Sequence, residues 1–377
     1  MFNGYAHQYR HLFGRDMYEI YFLLAFRALG FSMIGIFIPL YLLVELHFPL
    51  LKVISFFLYL SIFVALGNYL ALFFIPRYGA KHVMVASYLF LLTGFALILY
   101  LQTQASFYVL AALFEGLGVG LFWIPFHIDM VVHSHKKSVG KASGLISFAG
   151  VLGSIAGPIF GGIILKYFGF PILFVFVLCI LILSVLPLLF SKDFFVQTSF
   201  DLKYLFVRKH LKYFFAYFVQ GVRGTVSSIF WPILLFMILG GYLVLGSYAT
   251  VSALFLGVLS IFAGDIFDQS KKSVIMKIAA PFEALGWILR TLVSTVGSVF
   301  TVGLFGGLTA TGIDISLLAK SYLVAKRDKE KIAGFIFFRE ASIRSGEIFT
   351  LLLVFLIGSI SSAFYIASAS SFVYLFV

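Results

Sequence analysis

The chain has 377 residues, 62% of them hydrophobic and only 11% charged, and Lys and Arg outnumber Asp and Glu by 27 to 15 for a net charge of +12. A soluble domain runs at roughly 45–50% apolar and 25% charged, so this composition excludes a water-soluble enzyme, a nucleic-acid-binding protein and a disordered chain. A large β-barrel is excluded as well, because its apolar stretches would alternate over about 10 residues, whereas here they run unbroken for about 20.

The segment 1–16 is polar and mixed and shows no cleavable leader pattern; the first apolar run, 18–45, is too long for one and reads as a retained helix. Eleven further apolar runs follow at 51–75, 83–102, 105–132, 143–166, 169–190, 212–238, 242–265, 273–295, 298–319, 332–356 and 359–377. Each is long enough, at 1.5 Å per residue, to cross about 30 Å of hydrocarbon. The predicted architecture is an all-α polytopic membrane protein with 12 transmembrane helices. With the N-terminus inside, 20 of the 27 Lys and Arg fall in inner segments and only Lys52 and Lys166 in outer ones. That bias places both termini in the cytoplasm and explains the basic charge without nucleic acid. Cys179 is the single cysteine and lies in an apolar run, which leaves neither a disulfide nor a metal framework.

Several charges fall within predicted helices, where each costs about 2.5–3.5 kcal/mol at mid-bilayer and needs a reason. Arg27 in the first helix can snorkel to the inner interface or line a central cavity. Glu115 lies about ten residues into the fourth helix; it reads either as a protonatable carboxylate facing the cavity or as one half of a pair with an Arg. Trp123 follows on the same helix. His127 can titrate near neutrality. His133 and His135 stand beside Lys136 and Lys137 and lack the ligands for a metal. Asp129 ends the helix and reads as a gate residue.

The fifth run carries Gly144, Gly153, Gly157-Pro158 and Gly161-Gly162. Gly at 153, 157 and 161 makes a small-xxx-small face for close helix approach, and Pro158 gives a bend. The polar stretch 191–211 divides the chain into bundles 1–190 and 212–377, and its Leu202, Leu205 and Phe206 among cations read as an amphipathic helix on the inner leaflet.

In the seventh run, Gln220 and Arg223 are candidates for a cavity cation site, or for a pair holding the bundles together, with Trp231 beyond them. Glu283 and Arg290 in the ninth read as a structural pair, and Asp314 in the tenth as a gate residue. In the eleventh, Arg339, Glu340, Arg344 and Glu347 are spaced to neutralise one another along one face, unless one of them is free to leave the others. Ile36-Phe37-Ile38-Pro39 matches Ile229-Phe230-Trp231-Pro232, Ile128-Asp129 matches Ile313-Asp314, and Gly144 matches Gly334, at offsets near 190. The repeat implies two six-helix bundles in parallel orientation, with a site between them near midplane.

These features resemble the major facilitator superfamily. The fifth helix fits that family's exporter-associated motif, G-x8-G-x3-G-P-x2-G-G, at every fixed position. The loop Arg77-Tyr78-Gly79-Ala80-Lys81 is similar to its inner gating loop, with Pro76 where the family has Asp, and Gly264 to Asp268 with Lys271-Lys272 resembles the second copy. Glu115-Gly116-Leu117-Gly118 is similar to the proton-coupling motif, but Ala112 replaces its Arg and Glu115 its Gln.

The resemblance implies alternating access without nucleotide hydrolysis. The expected protein is a monomeric secondary transporter in the plasma (inner) membrane, exporting a small amphipathic compound in exchange for protons. It is not an enzyme and has no cofactor or metal. An uptake symporter or uniporter, a lipid-modifying membrane enzyme and a non-transporting sensor are the alternatives; no D-D-x-x-D or H-x3-H cluster supports the enzyme.

Overall fold

The computed structural model describes residues 15–133, 139–191, 193, 195, 211–269, 272–325 and 332–377. They form twelve helical rods. α1 (15–45) runs as Arg15–Ile34, then bends through Ile38–Leu40 into a wide π turn at Tyr41–Glu45. Pro39 lies at this bend, where it cannot donate a backbone hydrogen bond. α2 is Leu50–Tyr78, α3 Ala80–Tyr100 and α4 Tyr108–His133.

A continuous apolar stretch from Gly153 to Leu189 holds 37 residues. As one helix it would span about 55 Å, nearly twice the hydrocarbon thickness. Gly169, at φ 77°, folds it back on itself. A side chain at that angle would be strained, so glycine makes the hairpin in one residue. α5 (139–168) and α6 (170–189) are the result.

α7 (211–239) again combines a helix, Leu211–Thr225, with a π turn, Val226–Phe230, and a proline-led segment, Trp231–Leu239. α8 is Tyr242–Gln269, α9 Lys272–Arg290, α10 Val296–Ala325 and α11 Ile332–Ile357; α12 is Ile360–Ser371, closed by a tight turn at Phe372–Phe376. Each of the twelve predicted runs has its rod. Seven stretches are long and apolar enough to be spans by composition alone, with α5 and α6 counted as one. α8 and α12 offer only shorter apolar stretches, and α9 and α11 fall outside both groups; these last two carry buried charges, Glu283 and Arg290 in one and Glu340 in the other.

The outer surface is greasy. On α6, Ile172, Val175, Phe176, Ile182 and Leu183 point outward while Leu173, Phe174, Val177 and Leu181 are buried. The stripe recurs every three or four residues and faces the lipid.

Helix partners repeat with a shift of six. α1 packs on α5 as α7 packs on α11; α3 packs on α4 as α9 packs on α10; α5 meets α8 as α11 meets α2. This is the two-bundle architecture that the repeat predicts. The bundles touch toward both faces. On the face of the short connectors, Tyr242 of α8 packs its ring on Phe37 and Phe170. On the opposite face, one apolar cluster joins Leu72, Ile75 and Ile124 to Tyr217, Ile336 and Phe337.

The predicted amphipathic helix at 191–211 falls almost entirely outside the described residues, as do His135, Lys136, Lys137 and Lys271; the side chains of His133 and Asp268 and the surroundings of Gly144 are outside them as well.

Candidate functional site

The first helix places Arg27 about 12 Å along the rod from Glu19. Its side chain is 3% exposed, so it does not snorkel to the interface, the first of the two roles its position in the sequence allows. The guanidinium lies 3.7 Å from the Phe122 ring centre, 4.6 Å from Phe31, 5.3 Å from Tyr88 and 5.9 Å from Trp123. Cation–π attraction of this kind contributes about 0.5–2 kcal/mol per good contact. Nη1 has no hydrogen-bond acceptor.

Glu115 is 5% exposed, and its Oε2 is unpartnered. The pair with an arginine that the sequence allows does not form. Gly94 of α3 explains its location: a Cβ there would overlap the backbone and Cβ of Glu115. α4 therefore presses this residue onto α3.

The two bundles meet through a polar ladder on α11. Arg344 donates to Glu347 Oε1 at 2.6 Å and reaches Glu340 at 3.6 Å, and Arg339 bonds Glu340 at 2.5 Å. The self-neutralised ladder is present, but it extends across the seam. Ser61 of α2 donates to Glu347 at 3.1 Å, and His127 of α4 lies 3.3 Å from Arg339 Nη1. His127 in turn stacks on Trp123 at 5.5 Å. Arg27, Trp123, His127, Arg339 and Arg344 thus form a continuous row from α1 to α11.

Arg223 does something else. Its Nε donates to Glu283 Oε1 at 2.8 Å, and its Nη1 to Asp314 Oδ1 at 3.0 Å and to the Tyr374 hydroxyl at 3.3 Å. α9, α10 and α12 supply these partners, so the residue staples the second bundle together and does not link the two. This corrects both sequence readings of Arg223 and the gate reading of Asp314. Glu283 also accepts Trp287 Nε1 at 3.1 Å and the Thr309 hydroxyl. Its predicted mate, Arg290, lies instead over Trp287 and Trp231, 3.9 and 5.1 Å from their ring centres. Trp231 belongs to this second-bundle core, and Gln220 leaves its Oε1 buried without a partner.

The fifth-helix motif has two faces. Added side-chain carbons at Gly153, Gly157 and Gly161 would strike α1 at Ala25, Ser32 and Met33, and one at Gly162 would approach the carbonyl of Tyr242 on α8. Pro158 presents its carbonyl to Gly246 of α8. The motif is therefore the place where α1, α5 and α8 come together.

At the start of α3, Gly79 has φ 87° and Lys81 pairs with Glu19 at 3.7 Å. Arg77 folds over the Phe73 ring at 4.0 Å, and Asp129 is buried on α4. Pro76 stands where the resemblance leads one to expect an acid, but a carboxylate arrives from elsewhere. Asp193, beyond α6, accepts the backbone N–H groups of Lys81 and His82, each at 2.9 Å, and contacts the His82 ring. An acid at a helix N-terminus satisfies orphan donors and the helix dipole. Asp193→Ala should therefore lower the melting temperature by a few degrees, the loss of a cap being about 0.5–2 kcal/mol. Thermal unfolding of purified protein checks this, and an unchanged midpoint would mean that the cap carries no load.

A family model described as Major Facilitator Superfamily matches residues 20–338. No curated protein matches the chain by sequence. Among solved structures, the chain is similar to the POT family transporter PepTSo, at 12% identity and TM-score 0.75, with 95% of each chain covered. It is also similar to the nucleoside transporter NupG, at 15% identity and TM-score 0.68, covering 95% of this chain and 96% of that one. A mutant of NupG gives 14% identity and TM-score 0.71, covering 95% and 97%.

Proposed function

The chain belongs to the Major Facilitator Superfamily, and from that premise we propose that it exports a small amphipathic compound in exchange for protons, by alternating exposure of the seam between its bundles. Family membership makes it a secondary transporter of small molecules rather than an enzyme. The proton-coupled mechanism rests on one observation: a carboxylate, Glu115, buried on α4 with no cation to hold it charged. A lone acid in that setting is far cheaper to keep protonated than ionised. It can then load and release a proton as α3 and α4 change their exposure to water.

Export is favoured by the α5 motif, whose glycines and proline meet α1 and α8 at the junction of the bundles. The 20-to-2 distribution of basic residues supports a plasma-membrane protein with both termini cytoplasmic. A monomer suffices, because both bundles lie in one chain.

The test is a substrate screen in proteoliposomes with and without an imposed pH gradient. Wild-type protein should accumulate substrate only with the gradient. Glu115→Gln should lower gradient-driven accumulation at least about tenfold, as removal of a positioned proton-transfer group typically does, while leaving gradient-free exchange intact. Full coupling in the variant would remove Glu115 from the mechanism.

A further inference from the structure

We propose that Arg27 and the ring box around it form the docking point for an anionic group, a carboxylate or phosphate, on the transported compound. This rests on the transport reading above and gives its substrate a chemical class.

A buried guanidinium without a counter-charge costs several kcal/mol, and three other arginines inside the bundles are ion-paired. Arg223 has Glu283 and Asp314; Arg344 has Glu340 and Glu347; Arg339 has Glu340. Arg290 has no ion pair among the described residues either and lies over Trp287 and Trp231 within the second-bundle core. Among the described residues no acid pairs with Arg27, and its polar neighbour is the Tyr88 hydroxyl. The four rings engage the guanidinium through their π faces, and such contacts do nothing for the donors that leave it in its own plane. Nη1 is such a donor, buried and unused. A planar fork with spare in-plane donors matches two oxygens of a carboxylate or phosphate.

The position suits a transported ligand. Trp123 closes the box on one side and also stacks on His127, which meets Arg339 of the second bundle. The Nε atoms of Arg339 and Arg344 are buried without acceptors too. Donors exceed acceptors along the row, and a ligand oxygen would redress that. Phe31, Phe122 and Trp123 offer an apolar wall for the rest of the molecule. A lipid headgroup stays at the bilayer surface, whereas Arg27 lies well within the span Glu19–Glu45. We therefore assign the site to a soluble organic anion.

The experiment uses the purified full-length protein in detergent and matched probe pairs at millimolar concentration: benzoate against benzamide, and phenyl phosphate against benzyl alcohol. At least one acid should raise the melting temperature, and its neutral twin should not. Arg27→Gln should weaken acid binding about tenfold or more, in keeping with a hydrogen bond to a charged group; Arg27→Lys should retain part of it. The comparison of acid with neutral twin is made on wild type, so the result stands whether or not either variant folds. Equal stabilisation by the neutral twins, undiminished acid binding by Arg27→Gln, or no stabilisation by either acid overturns the proposal. Binding needs no gradient, so the two readings fail separately. Acid binding without transport in liposomes would remove the transporter and keep the anion site. Transport of a neutral compound, unaltered in Arg27→Gln, would do the reverse.

Discussion

Replacing Arg223 with leucine should destabilise the protein by about 3–5 kcal/mol, the cost of breaking a buried ion pair from one side. The groups left behind set that cost. Glu283 is 2% exposed and loses the donor at 2.8 Å that neutralises it. The Trp287 and Thr309 donors still reach it, but neither carries a charge. Asp314 suffers less, since its side chain is 48% exposed and water can take over. Glu283→Leu introduced alongside Arg223→Leu should therefore restore most of the loss, because an apolar pair replacing a buried ion pair is often neutral or better. Fluorescence-detected gel filtration after heating reads the midpoints. A single variant as stable as wild type, or a double variant worse than the single, would show that the network does not hold the second bundle.

A comparable loss is expected from one methyl group at Gly161. Its carbon would overlap the backbone carbonyl of Met33, which cannot turn aside as a flexible side chain could. α1 would have to back away from α5 along its length. Overpacking costs about 1–3 kcal/mol where side chains can adjust, and contact with backbone puts Gly161→Ala at the upper end. Membrane helices gain their association from such close approach, so folded yield should fall sharply. Gly150→Ala, with nothing within 4 Å of the added carbon, is the control and should behave as wild type. Equal yields for the two would show that the α1–α5 contact is soft.

The helices are legible in the sequence because apolar length is a local property. Even the α5–α6 hairpin is visible there, its predicted break adjoining Gly169. The partners of the buried charges are less so. Arg223 lies one turn from Gln220 on its own helix, but its real neighbours are 60, 91 and 151 residues away. Nothing in spacing along a chain selects those over Glu115. Glu115 stands out as a charge in an apolar run, yet its contact with α3 depends on Gly94, whose role appears only once the two rods are side by side. Asp193 is hidden for a similar reason, being a single acid in a polar stretch that happens to arrive at the start of α3.

One missed feature does leave a trace. Gly346 on α11 would overlap the carbonyl of Phe218 if it carried a side chain, and Gly221 on α7 that of Ile343. These are the second-bundle counterparts of the α1–α5 contact. Ser342, Gly346 and Thr350 stand 189 residues after Gly153, Gly157 and Gly161, all small and all buried. The repeat extended across that helix would have found them.

The single-residue turn at Gly169 has a practical side. Where α7 gives way to α8 only Gly240 and Gly241 intervene, and between α11 and α12 only Gly358 and Ser359. An antibody fragment, a protease or a bulky label approaching from that face finds almost no loop to grip. Probes of this protein's opening and closing will have to be raised against the 101–107 or 291–295 connection or brought in from the opposite side.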